Sequence, residues 1–180
     1  MNFQEIGILG YMAAFAVIAW LSARREGETA PGPPPGGAGG GFPNPGANTL
    51  GIRSNNPGNI VKSSIQWQGK VNCPGRFECF QSMYWGVRAL AINLQSYYFN
   101  RGLTTVNEII SRWAPPIEND TGAYIRFVSG RMGIDPYHPF EWNRRNIERL
   151  ITAIIDMENG TGAAGVVGGG TIRRATNDVL

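Results

Sequence analysis

Among the 13 acidic residues of the chain, Glu158 occupies the most unusual setting. Read as a helix, Ile147 to Gly160 places Ile147, Leu150, Ile151, Ile154 and Glu158 along one side, because positions three or four apart share a face. A carboxylate thus ends an apolar stripe. Asn159 and Gly160 follow at once, and glycine just past the last periodic residue stops a helix. Burial and the negative helix end both disfavour the charged form. The chemistry expected of such a group is proton donation, and a glutamate on an apolar face is uncommon without a reason.

The other candidates have structural alternatives beside their chemical ones. Asp156 lies two positions from Glu158 and points to another face, so it does not pair with it. Glu118 precedes the helix that contains Thr121 and Tyr124, where the positive helix end keeps it charged; it suits an orienting anion, and helix capping takes the larger share. Arg53, Asn55, Asn56 and Asn59 lie in a turn-rich segment, GIRSNNPGNI. Their amides suit the N-acetyl and hydroxyl groups of a sugar, but asparagines are also good turn formers. Trp67 suits sugar stacking or core packing.

Neither a metal nor a cofactor is implied. His138 has no second histidine, and Cys73 and Cys79 lack the companions of a zinc site. A tight hairpin at Pro74-Gly75 sets Cys73 opposite Arg76 and Cys79 opposite Lys70, so the sulfurs do not face each other and a bridge is disfavoured.

Several elements must position these residues. Short strands are predicted over Ile65 to Val71 and Arg76 to Phe80. Apolar residues at three- and four-residue steps predict helices from Ser82 to about Asn100, from Thr105 to Trp113, and from Asp120 or Thr121 to Met132. Ile134 to Trp142 reads as a loop, with Asn143 capping the last helix.

The flanks differ in composition. Residues 6–23 carry no charge and are long enough to span a bilayer, with Trp20 and Arg24-Arg25 at the end, so residues 1–25 are expected to be a transmembrane anchor. The competing reading, a secretory signal, lacks a basic start and a small-x-small cleavage site. Residues 26–48 read as a Gly/Pro-rich linker, 49–160 as the folded domain, and 161–180 as a Gly-rich flexible tail. The net charge of +3 and pI of about 9.1 are modest, and the arginines are scattered, so no nucleic-acid partner is expected.

GIRSNNPGNI, WQG, RFECF and ISRWAPPIENDTGAYIRFV together resemble a phage-encoded, lysozyme-like peptidoglycan-degrading domain over roughly residues 49–160. The chain is also similar to soluble lytic transglycosylases taken in a different order. Ala153-Ile154-Ile155-Asp156-Met157-Glu158-Asn159-Gly160 resembles their acid-bearing helix but comes last, Gly51-Ile52-Arg53 resembles their second motif, and Glu118, Thr121, Tyr124 and Ile125 their third. The chain departs from that pattern in Asn159, in Arg53, and in two extra residues between Glu118 and Thr121.

The resemblance implies an α+β, mainly α, lysozyme-like fold in circularly permuted order, behind the N-terminal transmembrane helix. It implies a lytic transglycosylase that cleaves between N-acetylmuramic acid and N-acetylglucosamine, with Glu158 as acid and base. Arg53, Asn55, Asn56, Asn59, Glu118, Thr121 and Tyr124 would contact peptidoglycan glycan strands. A hydrolytic muramidase and a non-catalytic wall-binding virion protein are the alternatives. Arg24 and Arg25 favour a cytoplasmic domain, which the internal membrane of a phage virion would reconcile with wall cleavage; a bacterial inner membrane facing the periplasm is the other location. The bilayer through residues 6–23 and other virion proteins are the remaining expected partners.

Overall fold

The computed structural model describes residues 48–116 and 120–180. A short helix α1 (Leu50–Arg53) opens this region, with the Thr49 hydroxyl oxygen accepting from the Ile52 N–H. The chain then turns through Asn55 and Asn59, both left-handed with φ of 55° and 49°. Asparagine is among the few side-chain-bearing residues that tolerate this conformation. Strands β1 (Lys70–Val71) and β2 (Cys79–Phe80) form an antiparallel pair, and an isolated bridge joins Val61 to Phe77.

Helix α2 (Met83–Gln95) runs on into a π-helical turn, Ser96–Asn100. Helix α3 (Val106–Trp113) carries a capping box: the Thr105 side chain accepts from the Glu108 N–H, and the Glu108 carboxylate accepts from the Thr105 N–H. This satisfies two N–H groups that the first helical turn leaves without partners. Helix α4 (Thr121–Met132) is capped by Asp120 and stops at Gly133, which has φ of 68°. Asn143 caps helix α5 (Arg144–Asn159), as its place before the apolar periodicity predicts.

Helix α5 lies at the centre of the packing, against α1, α2 and α4. Ile147, Leu150, Ile151, Ala153, Ile154 and Ile155 are fully buried along it. Each of these leucine and isoleucine side chains contributes roughly 1.5–3 kcal/mol of transfer free energy when its burial is complete. The helix is therefore held from several sides, which fixes where its last turn points.

Three expectations are corrected. The described residues form a mainly helical domain with one two-stranded sheet, and no helix among them is long and apolar enough to cross a membrane. Even α5, at 16 residues, carries Arg144, Arg145, Glu148, Arg149, Asp156 and Glu158. The expected fold class, with its lysozyme-like domain behind a transmembrane helix, is set aside on this finding; the predicted span at residues 6–23, with the linker up to residue 47, lies outside the described residues.

The expected flexible tail is instead folded. Helices α6 (Ala163–Val167) and α7 (Gly169–Asn177) pack on α5, and α7 also packs on α2. Ile172, Ala175, Thr176 and Val179 are buried; they recur at three- and four-residue steps, a pattern obscured by the surrounding glycines. The Asp156 carboxylate helps to begin α6 by accepting from the N–H groups of Gly162 and Ala164 at 3.2 and 2.9 Å. The Val179 carbonyl accepts from Gln95 and Trp142, both at 2.9 Å.

Cys73 and Cys79 are joined by a disulfide, with Cα atoms 6.2 Å apart. The strands pair Lys70 with Phe80 and Val71 with Cys79, one residue away from the register a tight Pro74-Gly75 hairpin predicts. A one-residue shift moves side chains to the other face of a strand. Cys73 thereby shares a face with Val71, the partner of Cys79, and becomes its diagonal neighbour.

Candidate functional site

The final turn of α5 brings Glu158 into the core, where it is 3% exposed. Three segments supply donors to its carboxyl. The Trp113 Nε1–H, from the end of α3, donates to Oε1 at 3.1 Å, and the Tyr124 hydroxyl, from α4, donates to the same oxygen at 2.9 Å. The Asn59 amide donates to Oε2 at 3.0 Å and reaches the Glu158 carbonyl at 3.4 Å. The opening turn, α3, α4 and α5 therefore converge on one carboxyl.

These donors favour the carboxylate, but removal from water outweighs them. Burial raises the Glu158 pKa from 4.5 to about 7, against the lowering effect of Asn59, Tyr124 and Trp113. Burial, followed by the charge of Glu158 and its hydrogen bond, also holds the Tyr124 hydroxyl well above its ordinary value. Tyr124 is thus a fixed donor near neutral pH. With Oε1 already accepting two hydrogen bonds, Oε2 is the oxygen with room for a proton.

The neighbouring residue secures the turn. Asn159 Nδ2 donates to the Pro57 carbonyl at 2.7 Å, and the Thr49 hydroxyl donates to Asn159 Oδ1 at 2.6 Å. Gly51 lies against this junction: a Cβ there would fall 2.4 Å from Asn159 Oδ1 and 2.7 Å from Asn59 Oδ1. Gly86 of α2 is equally confined, since its Cβ would fall 1.8 Å from the Asn55 carbonyl oxygen. Absence of side chains at these two positions lets the turn approach both helices.

Of the residues selected from sequence, Asn59, Tyr124 and Glu158 meet directly. Asn56 does not join them: Oδ1 accepts from the Ile60 N–H, while Nδ2 donates to the Ile60 and Glu78 carbonyls, each at 2.9 Å. It is fully buried, and its polar atoms are occupied in holding the turn, which removes it from the expected substrate contacts. Thr121 is removed likewise, because its hydroxyl donates to the Ala114 carbonyl at 2.5 Å and ties the end of α3 to the start of α4. Asn55 donates to the Phe80 carbonyl at 3.0 Å, Arg53 is exposed, and Glu118 lies outside the described residues.

Trp113 was the participant that sequence reasoning missed. It stands in the quoted ISRWAPP motif, but a tryptophan at the end of an amphipathic helix reads as core packing. Only its indole N–H, aimed across to α5, gives it a polar role. Trp67 packs against the core.

Asp156 faces away from Glu158 and pairs with Arg131 at 2.6 Å. No group of His, Cys, Asp and Glu among the described residues is arranged to hold a metal ion. No family model matches the chain. Protein P5 of Pseudoalteromonas phage PM2 is 40% identical over 116 residues, which span 62% of this chain and 71% of that protein. At that identity and coverage, the chain belongs to the family of the phage PM2 Protein P5.

Proposed function

We propose that this phage-family protein is a peptidoglycan lytic transglycosylase in which Glu158 serves as both acid and base. The observation that carries the reading is the buried carboxyl of Glu158, with its pKa raised to about 7 and its position set by Asn59, Trp113 and Tyr124. A general acid works best with a pKa near the operating pH. The resemblance of the α5 sequence to the acid helix of soluble lytic transglycosylases supports the same chemistry.

In this mechanism protonated Glu158 gives its proton to the oxygen bridging N-acetylmuramic acid and N-acetylglucosamine. The substrate's N-acetyl group stabilises the developing cation. The Glu158 carboxylate then accepts the proton of the sugar 6-hydroxyl as that oxygen closes a 1,6-anhydro ring, so no water is consumed. Ordinary retaining and inverting glycosidases use two carboxyl groups, and the nearest in sequence, Asp156, is engaged with Arg131. This favours transglycosylation over a water-using muramidase. The product would open a path through the wall for a phage particle.

Digestion of purified cell wall, followed by mass spectrometry, tests the proposal. The expected products carry anhydro ends, and Glu158→Gln abolishes them while leaving the circular-dichroism spectrum unchanged. Hydrated reducing ends alone would establish the muramidase instead.

A second reading rests on the 3% exposure of Glu158. A carboxyl so enclosed, with three donors, also serves as a structural tie in a wall-binding virion protein. That reading predicts wall binding without product release, unchanged in Glu158→Gln.

A further inference from the structure

A second polar site lies at the other end of α5. Arg131 from α4 and Arg144, Arg145, Glu148, Arg149 and Thr152 from α5 line a cavity of about 510 Å³. Its charges are only partly compensated. Arg131 pairs with Asp156 at 2.6 Å, and Glu148 lies 4.0 Å from Arg144 and 3.6 Å from Arg173 of α7. Arg149 donates to the Met132 carbonyl at 2.9 Å, Arg144 donates to Asn177 Oδ1, and Arg145 is exposed with no ion pair or hydrogen bond to the described residues. Four guanidinium groups at the cavity thus meet two carboxylates, and Arg173 adds a further positive charge beside Glu148.

We propose that this cavity binds a phosphomonoester group, with the free donors of Arg144, Arg145 and Arg149 engaging its oxygens. The guanidinium is a planar fork suited to bidentate contact with phosphate oxygens. The residual charge matches a group carrying about −1.5 to −2 near pH 7, and exceeds what one carboxylate would neutralise. A duplex binder instead needs phosphate contacts repeated along an extended surface, about 6–10 of them in strongly salt-dependent examples; here the cations gather around one cavity containing a glutamate. The α5 residues of the cavity lie between Arg144 and Thr152, away from Glu158, and the site does not depend on cell-wall cleavage.

The test is calorimetric titration of the full-length chain with inorganic phosphate and glycerol 1-phosphate at fixed ionic strength, using acetate as the carboxylate control. Saturable phosphate binding, at least tenfold tighter than acetate, is expected. Arg145→Ala should weaken it at least tenfold and Arg145→Lys by less, since lysine retains charge without the fork, while Glu158→Gln leaves it unchanged. Arg145 has no ion pair or hydrogen bond among the described residues, so an unchanged melting temperature checks that its variants remain folded.

Phosphatidic acid vesicles, compared with phosphatidylcholine vesicles, distinguish the source. Capture reversed by glycerol 1-phosphate and lost in Arg145→Ala assigns a lipid headgroup; binding of soluble phosphate alone assigns a soluble ligand. Either result upholds the site. Equal affinity for acetate and phosphate, no saturable binding by the folded chain, or tighter binding to duplex DNA with a salt slope insensitive to Arg145→Ala would overturn it.

Discussion

At the C-terminal end of α5 the Glu158 carboxyl is 3% exposed, with donors from three other segments aimed at it. At the N-terminal end Arg144 and Arg145 project into solvent, and the positive charges nearby outnumber their carboxylate partners. Both ends carry ionisable side chains on one helix. In the first, dehydration disfavours charge so strongly that three hydrogen bonds do not restore an ordinary pKa. In the second, water sustains several like charges side by side, each at modest cost. Burial therefore decides whether an ionisable group on this helix becomes a proton store or a fixed charge.

The largest expected effect that tests this contrast is in pH dependence. Glu158 has a pKa of about 7 in the fold against 4.5 ordinarily, so between these values the native chain holds a proton that the unfolded chain has released. Stability is fully present below 4.5, falls as pH rises towards about 7, and then levels off, a loss of ~3 kcal/mol. Urea unfolding of wild type and Glu158→Gln across this window should show the difference between them moving by that amount. A constant difference would mean that the carboxyl is not held neutral by its surroundings.

Gly51→Ala should cost about 1–3 kcal/mol, because overpacking forces neighbours from their positions and the added Cβ meets the Asn59 and Asn159 amides. Chemical denaturation measures it. Tyr124→Phe is smaller, about 1 kcal/mol for one lost hydrogen bond. It also removes a donor that lowers the Glu158 pKa, so the upper end of the pH window should move upward; an unmoved profile would show that Tyr124 does not act on the carboxyl. Arg145→Ala, at the exposed end, should change stability by no more than about 0.5 kcal/mol, and a larger loss would show that its charge is structurally engaged.

Much of the helical framework was legible because its signals are local. The Thr105, Asp120 and Asn143 caps and the stop after Asn159 depend on residues within one or two turns. The small sheet was harder: a single-residue change in register, set by a turn wider than Pro74-Gly75, put both cysteines on one face. The C-terminal segment was misjudged because glycine abundance outweighed the spacing of Ile172, Ala175, Thr176 and Val179. Small residues permit close helix packing, and that benefit exists only when another helix is present.

The periodicity from Ile147 to Glu158 by itself determined that an acid would end a buried stripe, since helical geometry fixes which residues share a face. Tertiary structure alone decided which groups would meet that acid. Asn59 and Trp113 reach it across 99 and 45 residues of chain, and no local preference specifies such contacts. The packing of the opening turn, α3 and α4 around α5 turned a helical pattern into a dehydrated carboxyl with defined donors.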